Sequence, residues 1–336
     1  MPVIAVDAGG THLRLAVASD DGELHSYARR KISNFHPAAN GAELWESILD
    51  SIAGYVRDAS RDNDTGDAIA FSVPGPVVAG CRLLAAPTIL GARAGPIPDI
   101  AGELQSRTGR RVHLINDVSA AAWYLSQRLD AERFFVVTVS SGIGGKLYDR
   151  RHPDRVLDTG FAGEIGHIVV DTSPEAPACD CGGRGHLGAI SSGRGTQRLA
   201  RRMARAQPAA FASSRIARRD GAGPAEITNE EHLIPAALAG DAWALSIIRT
   251  AAQPLARVLS SLVAAAGLDR IVAIGGFAQR LGPVYHDVLG AQLVELLGSQ
   301  AFPLWRSGSL TIYDEIEDVC LAGAAAFYRA RCEAVR

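Results

Sequence analysis

This 336-residue chain lacks the features that mark membrane and secreted proteins. No apolar run reaches the ~20 residues of a membrane-spanning helix. The first residues, with Asp7 among them, lack the basic start and long apolar segment of a signal peptide. Five cysteines are an odd number, which does not fit the disulfide framework of a small secreted protein. We therefore expect a cytoplasmic protein without a membrane partner.

A large charge of one sign is also missing. The formal net charge is −2, with 47% hydrophobic and 21% charged residues, which is typical of globular proteins and excludes a disordered chain. Residues 201–223 are rich in arginine but carry few aromatic side chains. We expect a solvated helix and loop there, and no nucleic-acid partner.

Short apolar segments alternate with helical periodicity along the chain. Strands are predicted at 3–6, 13–18, 68–73, 112–115, 134–139 and 271–274, and helices at 43–57, 119–129 and 254–266. Several strands end in glycine or acidic residues. This order indicates an α/β fold that binds ligands at the carboxyl ends of its strands.

The glycine-rich turns match neither of the two common nucleotide motifs. SGIGGK at 141–146 has Ser140 where a P-loop needs its first glycine, and Leu147 follows the lysine. DAGGT at 7–11 has the wrong spacing for a dinucleotide fingerprint. Two such turns facing each other could still wrap a triphosphate, because glycine lets backbone N–H groups approach anionic oxygens. Asp7 could hold Mg²⁺ through water.

The motifs resemble a known superfamily when taken in order. DAGGTHLR at 7–14, SGIGG at 141–145 and the glycine pair at 275–276 resemble the sugar kinase, Hsp70 and actin superfamily. FAGEIGH at 161–167 and CDCGGRGH at 179–186 resemble the ROK family of bacterial sugar kinases and repressors. SVPGP at 72–76, IND at 115–117 and AGAA at 322–325 also fit, so the resemblance covers almost the whole chain.

The resemblance implies a two-domain ribonuclease H-like (actin-like ATPase) sugar kinase fold with an interdomain active-site cleft. We predict a smaller α/β domain of residues 1–117 with a C-terminal helix at 315–336. The larger α/β domain would span 118–314 and include a zinc loop at 167–186. The family also implies a homodimer whose domains close on their substrates.

The resemblance assigns the site residues by position. Asp117 would be the general base, because an ionised carboxylate can accept the proton of a sugar hydroxyl and orient it towards the γ-phosphorus. Capping of its helix by Asp117 is compatible with that role. Substrate binding is assigned to Gly75, Thr88, Asn116, Asp117, Glu164 and His167. Binding of ATP and Mg²⁺ is assigned to Asp7, Gly9, Gly10, Thr11, Arg14, Ser141, Gly142, Gly144, Gly145, Gly275 and Gly276.

A structural Zn²⁺ site is predicted from ligand chemistry. His167, Cys179, Cys181 and His186 offer two imidazoles and two thiolates, which are the ligands that zinc prefers. The alternative is two incidental cysteines and two surface histidines. His186 stands where the family has a third cysteine.

Two departures from the family pattern concern the substrate. Gly188 replaces a sugar-contacting glutamate, and Thr88 replaces a frequent asparagine. A lost charge-assisted hydrogen bond removes about 1.5–3 kcal/mol of binding free energy.

We predict ATP-dependent phosphoryl transfer to a hydroxyl, in the first place the 6-OH, of a hexose such as glucose. The alternatives are an amino-sugar kinase, acting on kanosamine or an N-acetylhexosamine, and a non-catalytic sugar-sensing regulator. The repressor branch needs a helix-turn-helix before the first strand, so we do not expect a repressor.

Overall fold

The computed structural model describes the chain except for residues 10–11, 33–39, 91–95, 158–161, 299–304, 306, 314–317 and 335–336. The strands are β1 Val3–Ala8, β2 His12–Ala18, β3 Leu24–Lys31, β4 Ala68–Val73, β5 Val77–Val78, β6 Arg82–Leu83, β7 Arg111–Asn116, β8 Arg133–Val139, β9 Ile143–Asp149, β10 Arg270–Ile274 and β11 Leu310–Ile312. The α-helices are α1 Gly41–Asp62, α2 Pro87–Leu90, α3 Ile100–Thr108, α4 Asp117–Ser126, α5 Leu187–Ser191, α6 Gly193–Ala206, α7 Pro208–Ala212, α8 Arg215–Arg218, α9 Ile234–Leu238, α10 Ala242–Ala266, α11 Gly276–Leu281, α12 Pro283–Leu297 and α13 Val319–Ala334. Short 3₁₀ turns at Ile165–His167 and Ser307–Ser309 and a π-helical turn at Asn229–Leu233 complete the set.

The chain divides into two compact units. Unit 1 comprises Met1–Asp130, His152–Ala162 and Glu317–Arg336, and unit 2 comprises Ala131–Arg151 and Gly163–Ile316. The sequence-based boundary at residue 117 differs from this division, because helix α4 belongs to unit 1. Each unit has its own cluster of buried apolar side chains.

Unit 1 is built on a five-stranded sheet of order β3-β2-β1-β4-β7. β1, β2 and β3 are antiparallel neighbours, whereas β1, β4 and β7 run parallel. Every residue of β1 and β4 is buried, as expected for central strands. Because β1, β4 and β7 are parallel, their carboxyl ends share one edge of the sheet.

Helices α4 and α13 pack against each other at very short range in unit 1. A Cβ added at Gly323 would lie 1.9 Å from the carbonyl oxygen of Ala120. Only glycine permits this approach, and the contact brings the chain's last helix onto α4. The contact therefore explains why α4 groups with residues 1–116, which sequence periodicity does not show.

Unit 2 is built on a four-stranded sheet of order β11-β10-β8-β9. β8 and β9 form an antiparallel hairpin, and β10 lies parallel to β8 and β11. The long helix α10 begins at Ala242, not at Pro254 as the sequence suggested, and the proline lies inside it. A proline removes one backbone hydrogen bond, but the apolar side chains of α10 that are buried in the core of unit 2 hold the helix together around it. Among the described residues, no helix is long and apolar enough to span a membrane.

Candidate active site and metal centre

Asp7 lies buried near the end of β1, at the shared edge of the unit 1 sheet. Arg14 donates from Nη1 to its Oδ2 at 2.9 Å, and Ser72 donates from Oγ to its Oδ1 at 3.0 Å. Burial raises the pKa of the Asp7 carboxyl, while Arg14 and Ser72 act in the opposite direction. Each carboxylate oxygen keeps a second acceptor site for a metal-bound water. The carboxylate therefore fits the predicted Mg²⁺ role.

Asn116 caps helix α4, and Asp117 is the first helical residue. The Asn116 Oδ1 accepts from the N–H groups of Val118 and Ser119 at 3.0 and 3.2 Å, and its Nδ2 donates to the Gly75 carbonyl at 3.0 Å. The cap is thus Asn116 and not Asp117. Most of the Asn116 amide is used within the described part of the protein, where its second N–H could donate to a substrate hydroxyl.

The Asp117 side chain sits at a helix N-terminus, where the helix dipole favours a negative charge. Its Oδ1 accepts from the Val118 N–H at 2.9 Å. Cys320 of α13 donates from Sγ to the Asp117 carbonyl at 3.4 Å. Burial raises the pKa of the Cys320 thiol well above its usual value, and the charges of Asp7 and Asp117 act in the same direction. Cys320 is therefore a neutral thiol beside the two carboxylates.

Gly75 begins the short segment that follows β4, in a conformation with φ +126°. A Cβ there would meet the Ala85 carbonyl oxygen at 1.9 Å. This glycine therefore brings two backbone segments together and places its own carbonyl against Asn116. The structure supports a positioning role for Gly75 in addition to the predicted contact with substrate.

In unit 2, the turn at 140–145 lies directly against the segment at 163–167. The Gly145 N–H donates to the Gly163 carbonyl at 2.8 Å. A Cβ at Gly163 would lie 1.7 Å from the Gly145 carbonyl oxygen, and one at Gly166 would lie 2.1 Å from the Ile143 carbonyl oxygen. These backbone contacts fix the segment that carries Glu164 and His167 to strand β9.

The other predicted nucleotide residues of unit 2 lie at the carboxyl ends of β8 and β10. A Cβ at Gly275, which has φ +97°, would approach Thr138 Oγ1 and the Val139 carbonyl to 2.8 Å. By contrast, among the described residues nothing lies within 4 Å of a Cβ placed on Gly142 or Gly276. The backbone around Gly142 and Gly276 is therefore accessible to a ligand, whereas Gly275 and Gly145 are required for packing.

The four predicted zinc ligands come together in unit 2, with all their ligand atoms within 4.8 Å of one another. His167 Nδ1 lies 3.5 Å from His186 Nδ1 and 3.9 Å from Cys179 Sγ, and Cys181 Sγ lies 3.2 Å from His186 Nδ1. A tetrahedron with Zn–S of about 2.3 Å and Zn–N of about 2.0–2.1 Å has edges of about 3.3–3.8 Å. The spacing of the donor atoms therefore fits zinc.

Tight turns of the backbone order the four predicted zinc ligands. The Cys179 N–H donates to the Gly183 carbonyl at 2.8 Å, and the Gly182 N–H donates to the Cys179 carbonyl at 3.0 Å. A Cβ at Gly183 would lie 2.4 Å from the His186 ring, so glycine leaves room for the imidazole. Burial raises the pKa of the Cys179 thiol, which a metal ion would counteract by binding the thiolate.

His167 presents its two ring nitrogens to different neighbours. Nδ1 faces the other metal ligands, while Nε2 lies 3.9 Å from the Glu164 carboxylate. One histidine could therefore bind the metal through Nδ1 and face a substrate with Nε2. Gly188 lies close by, because a Cβ there would be 3.2 Å from the Gly166 carbonyl oxygen. A larger side chain at Gly188 would press on the turn between Glu164 and His167.

Sequence analysis missed two residues that hold these turns, and it also named two residues and one side chain that lie outside the described part of the chain. Ser72 and Arg194 were not singled out, although Arg194 donates from Nε to the Ser141 carbonyl at 2.8 Å. The signal for Arg194 was a cation in the first turn of a helix, where anions are preferred. Gly10, Thr11 and the side chain of Thr88 lie outside the described residues.

The sequence profile of the ROK family matches residues 3–328. The chain belongs to the ROK family. It is 37% identical over 342 residues to a C(7)-cyclitol 7-kinase of Streptomyces hygroscopicus subsp. limoneus, covering 99% of this chain and 95% of that protein. It is 32% identical over 345 residues to a 2-epi-5-epi-valiolone 7-kinase of an Actinoplanes species, covering 96% of this chain and 91% of that protein.

Solved structures of the family have the same fold. A ROK family glucokinase from Streptomyces griseus, crystallised with glucose and AMPPNP, matches with a TM-score of 0.72 and 25% identity. The match covers 98% of this chain and all of the glucokinase chain. The predictions of an α/β, actin-like ATPase sugar kinase fold and of an ATP-dependent sugar kinase are confirmed.

Proposed function

We propose that this ROK family kinase transfers the γ-phosphoryl group of ATP to the 7-hydroxyl of a C7-cyclitol. A C7-cyclitol is a six-membered carbocycle whose seventh carbon is attached to the ring. Its 7-hydroxyl thus corresponds to the 6-hydroxyl of a hexose, the acceptor expected from the sequence. The observation that carries the proposal is the 37% identity to a C(7)-cyclitol 7-kinase over 99% of this chain.

Gly188 is consistent with an acceptor other than glucose. Without the carboxylate that the family pattern places there, a substrate loses one charge-assisted hydrogen bond. A carbocycle with a different set of ring substituents does not need that acceptor. A hexose remains the second candidate, supported by the similarity to a glucokinase that was crystallised with glucose.

In the proposed reaction Asp117 takes the proton of the acceptor hydroxyl as the hydroxyl oxygen attacks the γ-phosphorus. The bond from phosphorus to the β,γ-bridging oxygen breaks, and ADP leaves. Asn116 orients Asp117 by capping its helix, and the remaining amide N–H of Asn116 donates to a neighbouring hydroxyl of the acceptor. The position of Asp117 at a helix N-terminus supports this role, because it favours the ionised carboxylate.

Nucleotide phosphates are assigned to the turns at 140–145 and 275–276 and to the hairpin that follows Asp7. Backbone N–H groups at Gly142 and Gly276 can approach anionic oxygens, since no side chain or backbone of the described part of the chain lies within 4 Å of an added Cβ at either glycine. Asp7 would hold Mg²⁺ through water, and the bound ion would neutralise charge on the phosphates. Glu164 and the Nε2 of His167 are assigned to hydroxyls of the acceptor.

The acceptor is tested by a coupled assay of ADP production with a panel of cyclitols and sugars. We expect a valiolone-type C7-cyclitol to give a kcat/KM at least tenfold above those of glucose, kanosamine and N-acetylmannosamine, a difference of ~1.4 kcal/mol in transition-state binding. A higher kcat/KM for glucose would favour the second candidate. ADP production that does not depend on any polyol would contradict both.

We further propose that His167, Cys179, Cys181 and His186 bind a structural Zn²⁺. The purified protein is then expected to carry about one Zn²⁺ per chain. Cys181→Ser should lower both zinc content and acceptor affinity, because the same centre orients His167. Mutation of a residue that only hydrogen-bonds to a metal ligand weakens metal binding about 10–100-fold, so loss of a direct ligand should have a larger effect.

The matched control is Cys81→Ser, which changes an exposed cysteine of unit 1. It should leave zinc content and kinetics unchanged. Elemental analysis provides the metal content independently of activity. A fully active preparation without zinc would contradict the assignment.

A further inference from the structure

Arg194 lies in the first turn of α6 and contacts two functional segments at once. Its Nε donates to the Ser141 carbonyl at 2.8 Å, within the glycine-rich turn. Its Nη1 lies 2.9 Å from the Asp180 Oδ2, and Asp180 is the residue between the zinc ligands Cys179 and Cys181. The guanidinium therefore bridges the glycine-rich turn and the loop of zinc ligands within unit 2.

Helix formation does not explain an arginine at this position. A cation in the first turn opposes the helix dipole, and Ser192 already caps α6 by accepting from the Gly195 N–H. A guanidinium presents several donors in a fixed plane, so it can hold two acceptors in one geometry. The more compact ammonium of a lysine cannot reproduce that arrangement.

The glycine-rich turn depends on hydrogen bonds for its conformation. The Ser140 N–H donates to the Gly142 carbonyl at 3.0 Å, and the Gly193 N–H donates to the Ser140 carbonyl at 2.8 Å. No atom of the residues that the structure describes lies within 4 Å of a Cβ placed on Gly142, so close packing at this α-carbon does not orient the peptide group between Ser141 and Gly142. The hydrogen bond from Arg194 to the Ser141 carbonyl is therefore suited to orient that peptide.

We propose that Arg194 is a positioning residue. When the zinc loop is ordered, Arg194 holds the nucleotide-binding turn in the conformation that binds phosphate. The inference rests on the proposed function, in which the turn binds nucleotide phosphates. When Asp180 holds the guanidinium, the Ser141 carbonyl points towards it and the following N–H points to the phosphate side. Loss of zinc releases Asp180, and nucleotide affinity falls.

The test compares Arg194→Met, Asp180→Asn and the double variant. The control is Arg205→Met, which removes the same charge from the last turn of the same helix. The dissociation constant of AMPPNP is measured by calorimetry, and kcat and the KM for ATP are measured with the best acceptor of the panel. Zinc content is determined for every variant.

Arg194→Met is expected to raise the AMPPNP dissociation constant and the KM for ATP about three- to tenfold, with kcat within about twofold of wild type. Asp180→Asn should shift the same constants in the same direction by less. The double variant should match Arg194→Met, because both substitutions break one bridge. Arg194→Lys should not restore binding, and Arg205→Met should resemble wild type.

A second experiment removes zinc and measures AMPPNP binding, so it does not depend on turnover. 1,10-Phenanthroline binds zinc and leaves Mg²⁺ in place. It should weaken AMPPNP binding to the wild type and have little effect on binding to Arg194→Met. Equal weakening of both proteins would overturn the transmission through Arg194.

Two further results would overturn the proposal. If the wild type binds AMPPNP and Arg194→Met binds it equally tightly, Arg194 has no positioning role. That result would leave the proposed function intact. A large loss of kcat in Arg194→Met, with Asp180→Asn unchanged, would indicate direct contact with the substrate instead. A wild-type chain that binds no nucleotide would overturn this proposal and the proposed function together.

Discussion

Asp117→Asn is expected to lower kcat by about 10²–10⁴-fold, the scale of general-base removal. The substitution keeps the size of the side chain and its ability to accept from the Val118 N–H. It removes the negative charge and the proton acceptor. The affinity for AMPPNP and the melting temperature should therefore stay close to wild type, so that the loss falls on the phosphoryl-transfer step.

Asp99→Asn is a matched control for this substitution. Asp99 caps helix α3 in the same unit by accepting from the Gly102 N–H, and asparagine caps equally well. Asp99→Asn should have wild-type kinetics and stability. If Asp117→Asn retains near wild-type turnover on the best acceptor, Asp117 is not the base.

Gly163→Ala is expected to have the largest effect on stability. Its φ of +87° is strained for alanine by about 1–2 kcal/mol. The new Cβ would also lie 1.7 Å from the Gly145 carbonyl oxygen, and overpacking of this kind typically adds about 1–3 kcal/mol. Together these predict a loss of about 2–5 kcal/mol. Because Glu164 follows directly, kcat/KM for the acceptor should fall as well.

Gly240→Ala is the control that separates the steric clash of the added Cβ from the backbone strain of alanine at a positive φ. Gly240 has a similar φ of +77°, but no described residue lies within 4 Å of an added Cβ. We expect it to lose only the strain contribution, about 1–2 kcal/mol. Thermal unfolding of both variants gives the comparison, at about 2–4 °C per kcal/mol for domains of 150–250 residues. Equal melting temperatures would contradict the close contact between Gly163 and Gly145.

The sequence predicted six of the strands, β1, β2, β4, β7, β8 and β10, and the turns that follow several of them, because these signals are local. Strands β3, β5, β6, β9 and β11 were missed. An apolar segment followed by glycine or an acidic residue located the ends of β1, β7, β8 and β10, where Asp7, Asn116, the turn at 140–145 and Gly275 lie. That His167, Cys179, Cys181 and His186 lie together could also be predicted, since cysteine and histidine in a glycine-rich loop combine a distinctive chemistry with short spacing.

Features that depend on contacts distant in sequence could not be predicted. The membership of α4 in unit 1 follows from the contact between Gly323 and Ala120, which joins segments about 200 residues apart. Pro254 suggested a helix start, but burial in the core of unit 2 carries α10 through it. Nothing local indicates that Ser72 pairs with Asp7 or that Arg194 reaches Ser141 and Asp180.

The sequence motifs led us to expect a hexose, whereas the similarity to C(7)-cyclitol 7-kinases leads us to propose a C7-cyclitol. The motifs did not distinguish the two acceptors for a physical reason. A hexose 6-hydroxyl and a cyclitol 7-hydroxyl are both carried by a carbon outside a six-membered ring, so the same base and phosphate turns serve both. The motifs that identify the family describe that shared chemistry. The difference between the acceptors lies in ring substituents, and these motifs do not describe the residues that would contact those substituents.

The most direct test of the proposed reaction is the position of the phosphoryl group in the product of the coupled assay. We expect ³¹P and ¹H NMR to show a phosphate monoester whose phosphorus couples to the protons on the seventh carbon of the cyclitol. An acceptor that lacks the 7-hydroxyl should give no product. A phosphate on a ring hydroxyl, or equal ADP production with the 7-deoxy acceptor, would contradict the proposed function.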